Sequence, residues 1–411
     1  MSHPTPSTLS TRFPGRRTAT RLVGLAAALL LAACGGGGGG GDGAAADPGK
    51  LVTPTAALAP SPSLAGICTL QGEQAFARSY LNDRYLWWDR VPEVASQEHA
   101  SVQSYFGALL LREPDASGRP TDRYSAVLTT SQADAMLTAV ATPMAAVLAT
   151  GRAGVPLVAT LSSPGGRAVG YLQFDRHGKG AQDALIAAFE ALRAAEVPEL
   201  VLDLRNNPGG YLYVAQAVAS MVAGADHNGK LFEELRYSDK RRAEGAGTRL
   251  QFTGTVQTAE SRYPKGHPLP QLGLPRLYVL ASGATCSASE SIVNGLRGVG
   301  IEVVLVGQPT CGKPYGFHRK DNCGKSYFAI EFQSVNAVGF GDYASGMAPQ
   351  CPVQEDRRIP LGDAREPLLA AALHHIDTGA CPAAPAPLEA AATKRASDPW
   401  DGLAGRLLAP Q

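Results

Sequence analysis

The sequence predicts an α/β protein, a largely parallel sheet with helices packed on it, preceded by a small helical domain. Three observations lead there. From residue 168 onward, short apolar runs alternate with stretches of helical periodicity. Turns containing glycine or proline separate those runs, as repeated strand-helix units require. Upstream, residues 66–125 place apolar and aromatic side chains at helical spacing. With 411 residues, 45% of them hydrophobic, the chain can bury a sizeable core.

In chain order, Phe76, Tyr80, Tyr85, Leu86 and Trp87, then Tyr105, Phe106, Leu109 and Leu110, mark two helical stretches separated at Pro92. An aromatic stripe of this kind is core material and carries no chemistry of its own. Residues 126–167 are rich in small side chains and poorly periodic, with a turn at Pro164-Gly165-Gly166. Residues 168–174 read as a strand, and residues 184–192 as a helix with Leu185, Ala188, Phe189 and Leu192 on one face. Pro198 stops that helix before a buried-strand run at 199–204, and the turn Asn206-Asn207-Pro208-Gly209-Gly210 opens a helix over 211–222. The rhythm resumes with a strand at 277–281, a helix beginning near Ser287 and a strand at 302–306.

The 37 basic and 36 acidic side chains leave a formal net charge of +1. That balance excludes a field able to draw in nucleic acid or an anionic membrane by charge alone, so no nucleic-acid partner is expected. The seven cysteines, Cys34, Cys68, Cys286, Cys311, Cys323, Cys351 and Cys381, contain no CxxC pair and no Cys/His cluster of zinc-ligand spacing. Neither a metal nor another cofactor is expected. At the N-terminus, Arg16, Arg17 and Arg21 precede an apolar run over residues 22–33. The run is too short to span a bilayer and reads as a secretory signal peptide. It ends in Leu31-Ala32-Ala33-Cys34, which resembles the bacterial lipobox. The resemblance implies lipidation of Cys34, and Gly35 in the next position favours the outer membrane of a Gram-negative cell, facing the periplasm. Six cysteines then remain for disulfides in an oxidising compartment.

Two junctions in this core hold the chemistry, the first where a strand hands over to a helix. At Ala284-Thr285-Cys286-Ser287-Ala288-Ser289-Glu290, a serine sits where free backbone N–H groups and the positive helix end would stabilise an oxyanion. The same residues also fit a plain helix cap, with Ser287 as N-cap and Glu290 as its capping-box partner. The second junction, Gly307-Gln308-Pro309-Thr310-Cys311-Gly312-Lys313, follows the next strand. Neighbouring parallel strands end at the same sheet edge, so Lys313 can approach Ser287. A lysine acts as a general base when burial or a neighbouring cation keeps it neutral; alone it reads as a solvated surface group. A Walker A reading fails, because Lys313 is followed by Pro314.

The segments Asp203-Leu204-Arg205-Asn206-Asn207-Pro208-Gly209-Gly210, Thr285-Cys286-Ser287-Ala288-Ser289-Glu290 and Thr310-Cys311-Gly312-Lys313 together resemble, in order and spacing, the signatures of the C-terminal processing (tail-specific) serine peptidases. Tyr85-Leu86-Trp87 and Asp122-Arg123-Tyr124-Ser125 resemble the N-terminal segment of that family. The resemblance implies a crotonase-like peptidase core and a Ser–Lys dyad. Ser287 would be the nucleophile, Lys313 the general base, and the backbone N–H groups of Ala288 and of Gly209 or Gly210 the oxyanion hole. It implies a protein or peptide substrate, with the membrane reached through the N-terminal lipid.

On this reading the chain divides into a lipoprotein signal peptide (1–33), a Gly/Ala/Pro tether (34–65), a helical N-terminal domain (66–125), an atypical segment (126–167), a serine peptidase core (168–383) and a disordered tail (384–411). The family usually inserts a PDZ domain ahead of the core; residues 126–167 are too few for one, so it is expected to be absent or reduced to a remnant. The places where the family carries a third polar group hold Gly298 and Phe317 here, leaving Glu302, His318 and Asn336 as substitutes to consider. Cys286 and Cys311 flank the dyad, which suggests Cys286–Cys311, with Cys323–Cys351 and Cys68–Cys381 as the accompanying pairs. Cys286 as nucleophile lacks a histidine placed to activate it. Other readings of the same core are a non-catalytic ligand- or protein-binding lipoprotein and an acyl-CoA enzyme, the latter out of place in an exported protein.

Overall fold

The computed structural model describes residues 57–138, 154–383 and 406–407. The expected signal peptide, Cys34 and most of the tether lie outside the described residues. In chain order the elements are α1 (Leu70–Arg84), α2 (Val102–Ala108), β1 (Ala126–Thr129), α3 (Thr130–Thr138), β2 (Leu157–Ser162), β3 (Ala168–Gln173), α4 (Ala181–Ala194), β4 (Glu199–Asp203), β5 (Gly210–Tyr211), α5 (Leu212–Ala223), β6 (Leu231–Tyr237) and β7 (Arg249–Gln251). They continue with β8 (Arg276–Ala281), α6 (Ala288–Gly298), β9 (Glu302–Gly307), β10 (Tyr315–Phe317), β11 (Lys320–Asn322), β12 (Lys325–Phe328), β13 (Phe332–Val335), β14 (Cys351–Pro352), α7 (Pro367–Thr378) and β15 (Arg406–Leu407).

The main sheet has the order β14-β9-β8-β4-β3-β2. Its strands pair in parallel, except that β2 runs antiparallel on the edge against β3. All five residues of β4 are buried, as a strand covered on both faces requires. The strand period of two divides the core into layers. Leu200, Leu202, Leu277, Val279 and Leu305 join Leu185 and Phe189 of α4, Val214 and Val218 of α5 and Ile292 and Leu296 of α6. Their neighbours Val201, Tyr278, Leu280, Val304 and Val306 face the other way, onto Leu368, Leu369, Leu373 and Ile376 of α7. The predicted helical face of α4 is thus the face that packs.

The atypical segment supplies β1 and α3 and, in β2, the edge strand of this sheet; residues 139–153 lie outside the described residues. Two further sheets stand apart from the main one, β1-β12-β11 and β5-β15-β10-β13-β6-β7. The N-terminal helices pack onto the first of them. Phe76, Tyr80 and Phe106 surround the Tyr327 ring of β12, with centroids at 5.0, 6.0 and 6.0 Å. The tether expected to run to residue 65 ends earlier. Ser61–Leu64 forms a helical turn, the Ser61 N–H donates to Asp83 Oδ2 at 2.8 Å, and the Gly66 N–H donates to Asn322 Oδ1 at 2.9 Å. Residues Arg406–Leu407, expected within a disordered tail, pair as a strand. Among the described residues, no helix is long and apolar enough to cross a membrane.

The disulfides correct two of three expectations. Cys286–Cys311 forms, but the others are Cys68–Cys323 and Cys351–Cys381 in place of Cys323–Cys351 and Cys68–Cys381. The reason is tertiary. Cys68 precedes α1, which lies over β12, and Cys323 occupies the turn entering that strand at φ +49°. Cys351 lies in β14 at the sheet edge, and Cys381 follows α7 on the adjoining face. Each pair has Cα atoms 5.3 Å apart, within disulfide reach.

Candidate active site

The site forms where β4, β8 and β9 deliver their following loops to one edge of the sheet. After β4 the chain must turn sharply, and Asn207 organises the turn. Its side-chain Oδ1 accepts the Gly209 N–H at 3.0 Å and hydrogen-bonds the His177 Nδ1 at 3.0 Å, while its Nδ2 donates to the Phe174 carbonyl at 2.9 Å. Its carbonyl accepts the Cys286 N–H at 3.1 Å and the Ser289 hydroxyl at 3.0 Å. The turn and the serine junction are therefore tied by the same residue. Glycine is required here for space as well as for conformation. Gly209 has φ +94°, and a Cβ there would stand 2.9 Å from Ala288 N; Gly210 has φ +140°, and a Cβ there would stand 2.4 Å from the His177 carbonyl. Of the two glycines expected to donate to an oxyanion, Gly209 has its N–H engaged by Asn207. His177 is fully buried, and that burial pushes its imidazole down to about 3 despite the bond to Asn207.

Beneath the turn, Arg205 lies buried between two carboxylates. Its Nε donates to Asp203 Oδ1 at 3.0 Å and its Nη2 to Glu366 Oε2 at 2.7 Å. Tyr171 donates its hydroxyl to the other Asp203 oxygen at 2.7 Å, and Glu366 also caps α7 by accepting the Leu369 N–H at 3.1 Å. The charged residues of the first motif thus hold α7 to the sheet.

Ser287 stands between β8 and α6 with φ +59° and ψ −110°. A non-glycine residue in that region is strained, and such strain gathers at functional turns. The strain is held by Glu290, three residues on, whose carboxylate is wholly buried. Oε2 accepts the N–H groups of Ser287 at 2.8 Å and of Lys313 at 2.9 Å; Oε1 accepts the Thr310 hydroxyl at 2.6 Å and the Gly312 N–H at 2.9 Å. A capping interaction is present, but the helix cap is only part of what this carboxylate does. One oxygen atom binds the backbone of both sequence-predicted dyad residues. The Cys286–Cys311 disulfide crosses between the same two loops.

Lys313 is fully buried, its Nζ 4.7 Å from the Tyr124 ring centroid and 4.6 Å from that of Phe317. The Tyr124 hydroxyl, kept protonated by burial that raises its pKa, donates to the Gly312 carbonyl at 2.8 Å. Tyr124 is placed by Asp122, whose Oδ1 accepts the N–H groups of Tyr124 and Ser125 at 2.9 Å each, while its Oδ2 accepts the Tyr85 hydroxyl at 2.6 Å. Sequence reasoning missed this role for the N-terminal region. Its signal was the Asp122-Arg123-Tyr124-Ser125 motif, which no pattern placed beside the lysine. The substitutes considered for a third polar group lie elsewhere: Glu302 is exposed at the start of β9, His318 pairs with Glu331 at 2.7 Å, and Asn336 donates to Asn294 at 3.0 Å.

Residues 168–328 match the family model of Peptidase family S41. The chain is similar to the carboxyl-terminal-processing protease of Picosynechococcus sp. (strain ATCC 27264 / PCC 7002 / PR-6), 29% identical over 158 residues, which is 38% of this chain and 32% of that protein. This chain therefore spans about a third of that relative's length. A Bacteroides fragilis NCTC 9343 protein assigned to the S41 proteases shares the fold, with a TM-score of 0.56 at 22% identity over 74% of this chain and 97% of that one.

Proposed function

We propose that this chain, whose residues 168–328 belong to Peptidase family S41, is a serine endopeptidase that cleaves periplasmic or envelope proteins through a Ser287–Lys313 dyad. The observation that carries the reading is the Glu290 carboxylate, which binds the backbone of both residues through a single oxygen. Full burial of Lys313 supports its role, since removal from water favours the neutral amine that a base must be. Neutral Lys313 takes the proton of Ser287 as its oxygen bonds to the peptide carbonyl carbon. The negative charge that develops on the carbonyl oxygen is met by the N–H groups of Ala288 and Gly210, each worth roughly 3–4 kcal/mol. The Lys313 ammonium returns the proton to the leaving amine as the C–N bond breaks, and water then hydrolyses the ester on Ser287.

The test is cleavage of an unfolded reporter protein by the mature chain and by Ser287→Ala and Lys313→Ala. Wild type cleaves and both variants fall by at least about a thousandfold. Equal cleavage by all three removes the dyad, and no cleavage by any returns the chain to a binding protein on the same core. We also propose that Cys34 is lipidated, as the resemblance of Leu31-Ala32-Ala33-Cys34 to the lipobox implies. A clickable fatty acid fed to expressing cells labels the wild-type chain and leaves Cys34→Ala unlabelled.

A further inference from the structure

The described residues Arg406–Leu407 lie between two walls of the candidate active site. Their strand, β15, is the second of six in the order β5-β15-β10-β13-β6-β7. On one side it pairs in parallel with β5, Arg406 opposite Gly210 and Leu407 opposite Tyr211. On the other it pairs in parallel with β10, Arg406 opposite Gly316 and Leu407 opposite Phe317. Gly210 is the glycine that the proposed mechanism assigns to the oxyanion, and β10 begins two residues after Lys313. Strands flanking a third lie about 9–10 Å apart, so β5 and β10 bound a slot one strand wide that only an extended backbone can fill.

We propose that this slot is the peptide-binding channel and that the chain's own Arg406–Leu407 strand occupies it, competing in cis with substrate. The inference rests on the peptidase reading for what it inhibits, but not for the occupancy itself. Residues 384–405 span up to about 75 Å when extended, against a radius of gyration of about 20 Å for a domain of this size, so the segment can reach the slot from the end of α7. Recognition is by main-chain pairing on both sides, so a strand of another sequence running in the same direction can replace it. Cleavage of another protein then requires that strand to displace the resident one.

The test uses the full chain in a Ser287→Ala background and a fluorescein-labelled peptide with the sequence of residues 401–411. Arg406→Pro combined with Leu407→Pro removes two backbone donors from the resident strand, and deletion of residues 404–411 removes the strand. Both variants bind the peptide at least tenfold more tightly than the unaltered tail allows, read by anisotropy. With Ser287 restored, both cleave the unfolded reporter at least tenfold faster than the full chain. Equal peptide affinity in the full chain and both variants overturns the proposal. Tighter peptide binding without reporter cleavage by any chain leaves the occupancy standing and sinks the peptidase reading. Equal cleavage with equal peptide affinity does the reverse.

Discussion

Two glutamates, Glu290 and Glu366, are both wholly buried beside the same sheet edge, and their compensation differs in kind. Glu366 meets a guanidinium and one helix N–H. Glu290 meets three backbone N–H groups and a hydroxyl, drawn from the two loops that carry Ser287 and Lys313. A carboxylate answered by a charge fastens one element to another; a carboxylate answered by backbone donors shapes the chain around itself. The first arrangement should therefore govern stability and the second the geometry of reaction.

The largest expected break is on the stability side. Glu366→Ala leaves Arg205 with one partner in a dry site and costs about 3–5 kcal/mol, read from urea denaturation, while kcat per folded molecule stays within about threefold. Loss of activity in proportion to stability would erase the distinction. Glu290→Gln gives the complementary result. Its amide places a donor where two donors now converge, so kcat falls about a hundredfold, or about 2.7 kcal/mol, with KM nearly unchanged and a smaller loss of stability.

A third buried group on the Glu290 side sharpens the contrast through pH. His177 has its pKa lowered by burial from 6.5 to about 3. Between those values the unfolded chain binds a proton that the folded chain refuses, so stability present above pH 6.5 is lost as pH falls towards about 3. The slope is about 1.4 kcal/mol per pH unit, and His177→Gln flattens it in denaturation series run from pH 7 to 4. The smallest effect belongs to Tyr124→Phe. It keeps the ring over Lys313 but loses the bond to Gly312, costing about 1 kcal/mol, or about fivefold in kcat/KM.

Legibility in the sequence followed locality. The inner strands of the main sheet, β3, β4, β8 and β9, and the helices α4 to α6 could be read because burial on both faces leaves continuous apolar runs and helical stripes, as in β4 and α4, whereas the edge strands β2 and β14 could not. The sheet containing β5, β10 and β15 could not, since its strands at the site are only two or three residues long and too short to show a period. Ser287 and Lys313 stood out by motif, and Glu290 was visible only as a capping partner. Its further bonds to Thr310, Gly312 and Lys313 join residues 20 to 23 positions away in sequence. Tyr124 was hidden for the same reason, 188 positions from its partner Gly312.

The amino-acid order by itself determined the α/β alternation, the glycine turn at Asn207-Pro208-Gly209-Gly210 and the two junctions holding Ser287 and Lys313, because periodicity and turn chemistry act over a few residues. Tertiary structure alone decided that Cys68 meets Cys323, that one Glu290 oxygen serves two loops, that Tyr124 covers Lys313, and that Arg406–Leu407 lies beside Gly210. Each of these is a contact between residues distant in the chain, and local propensity carries no information about which distant surfaces will be brought together when the core closes.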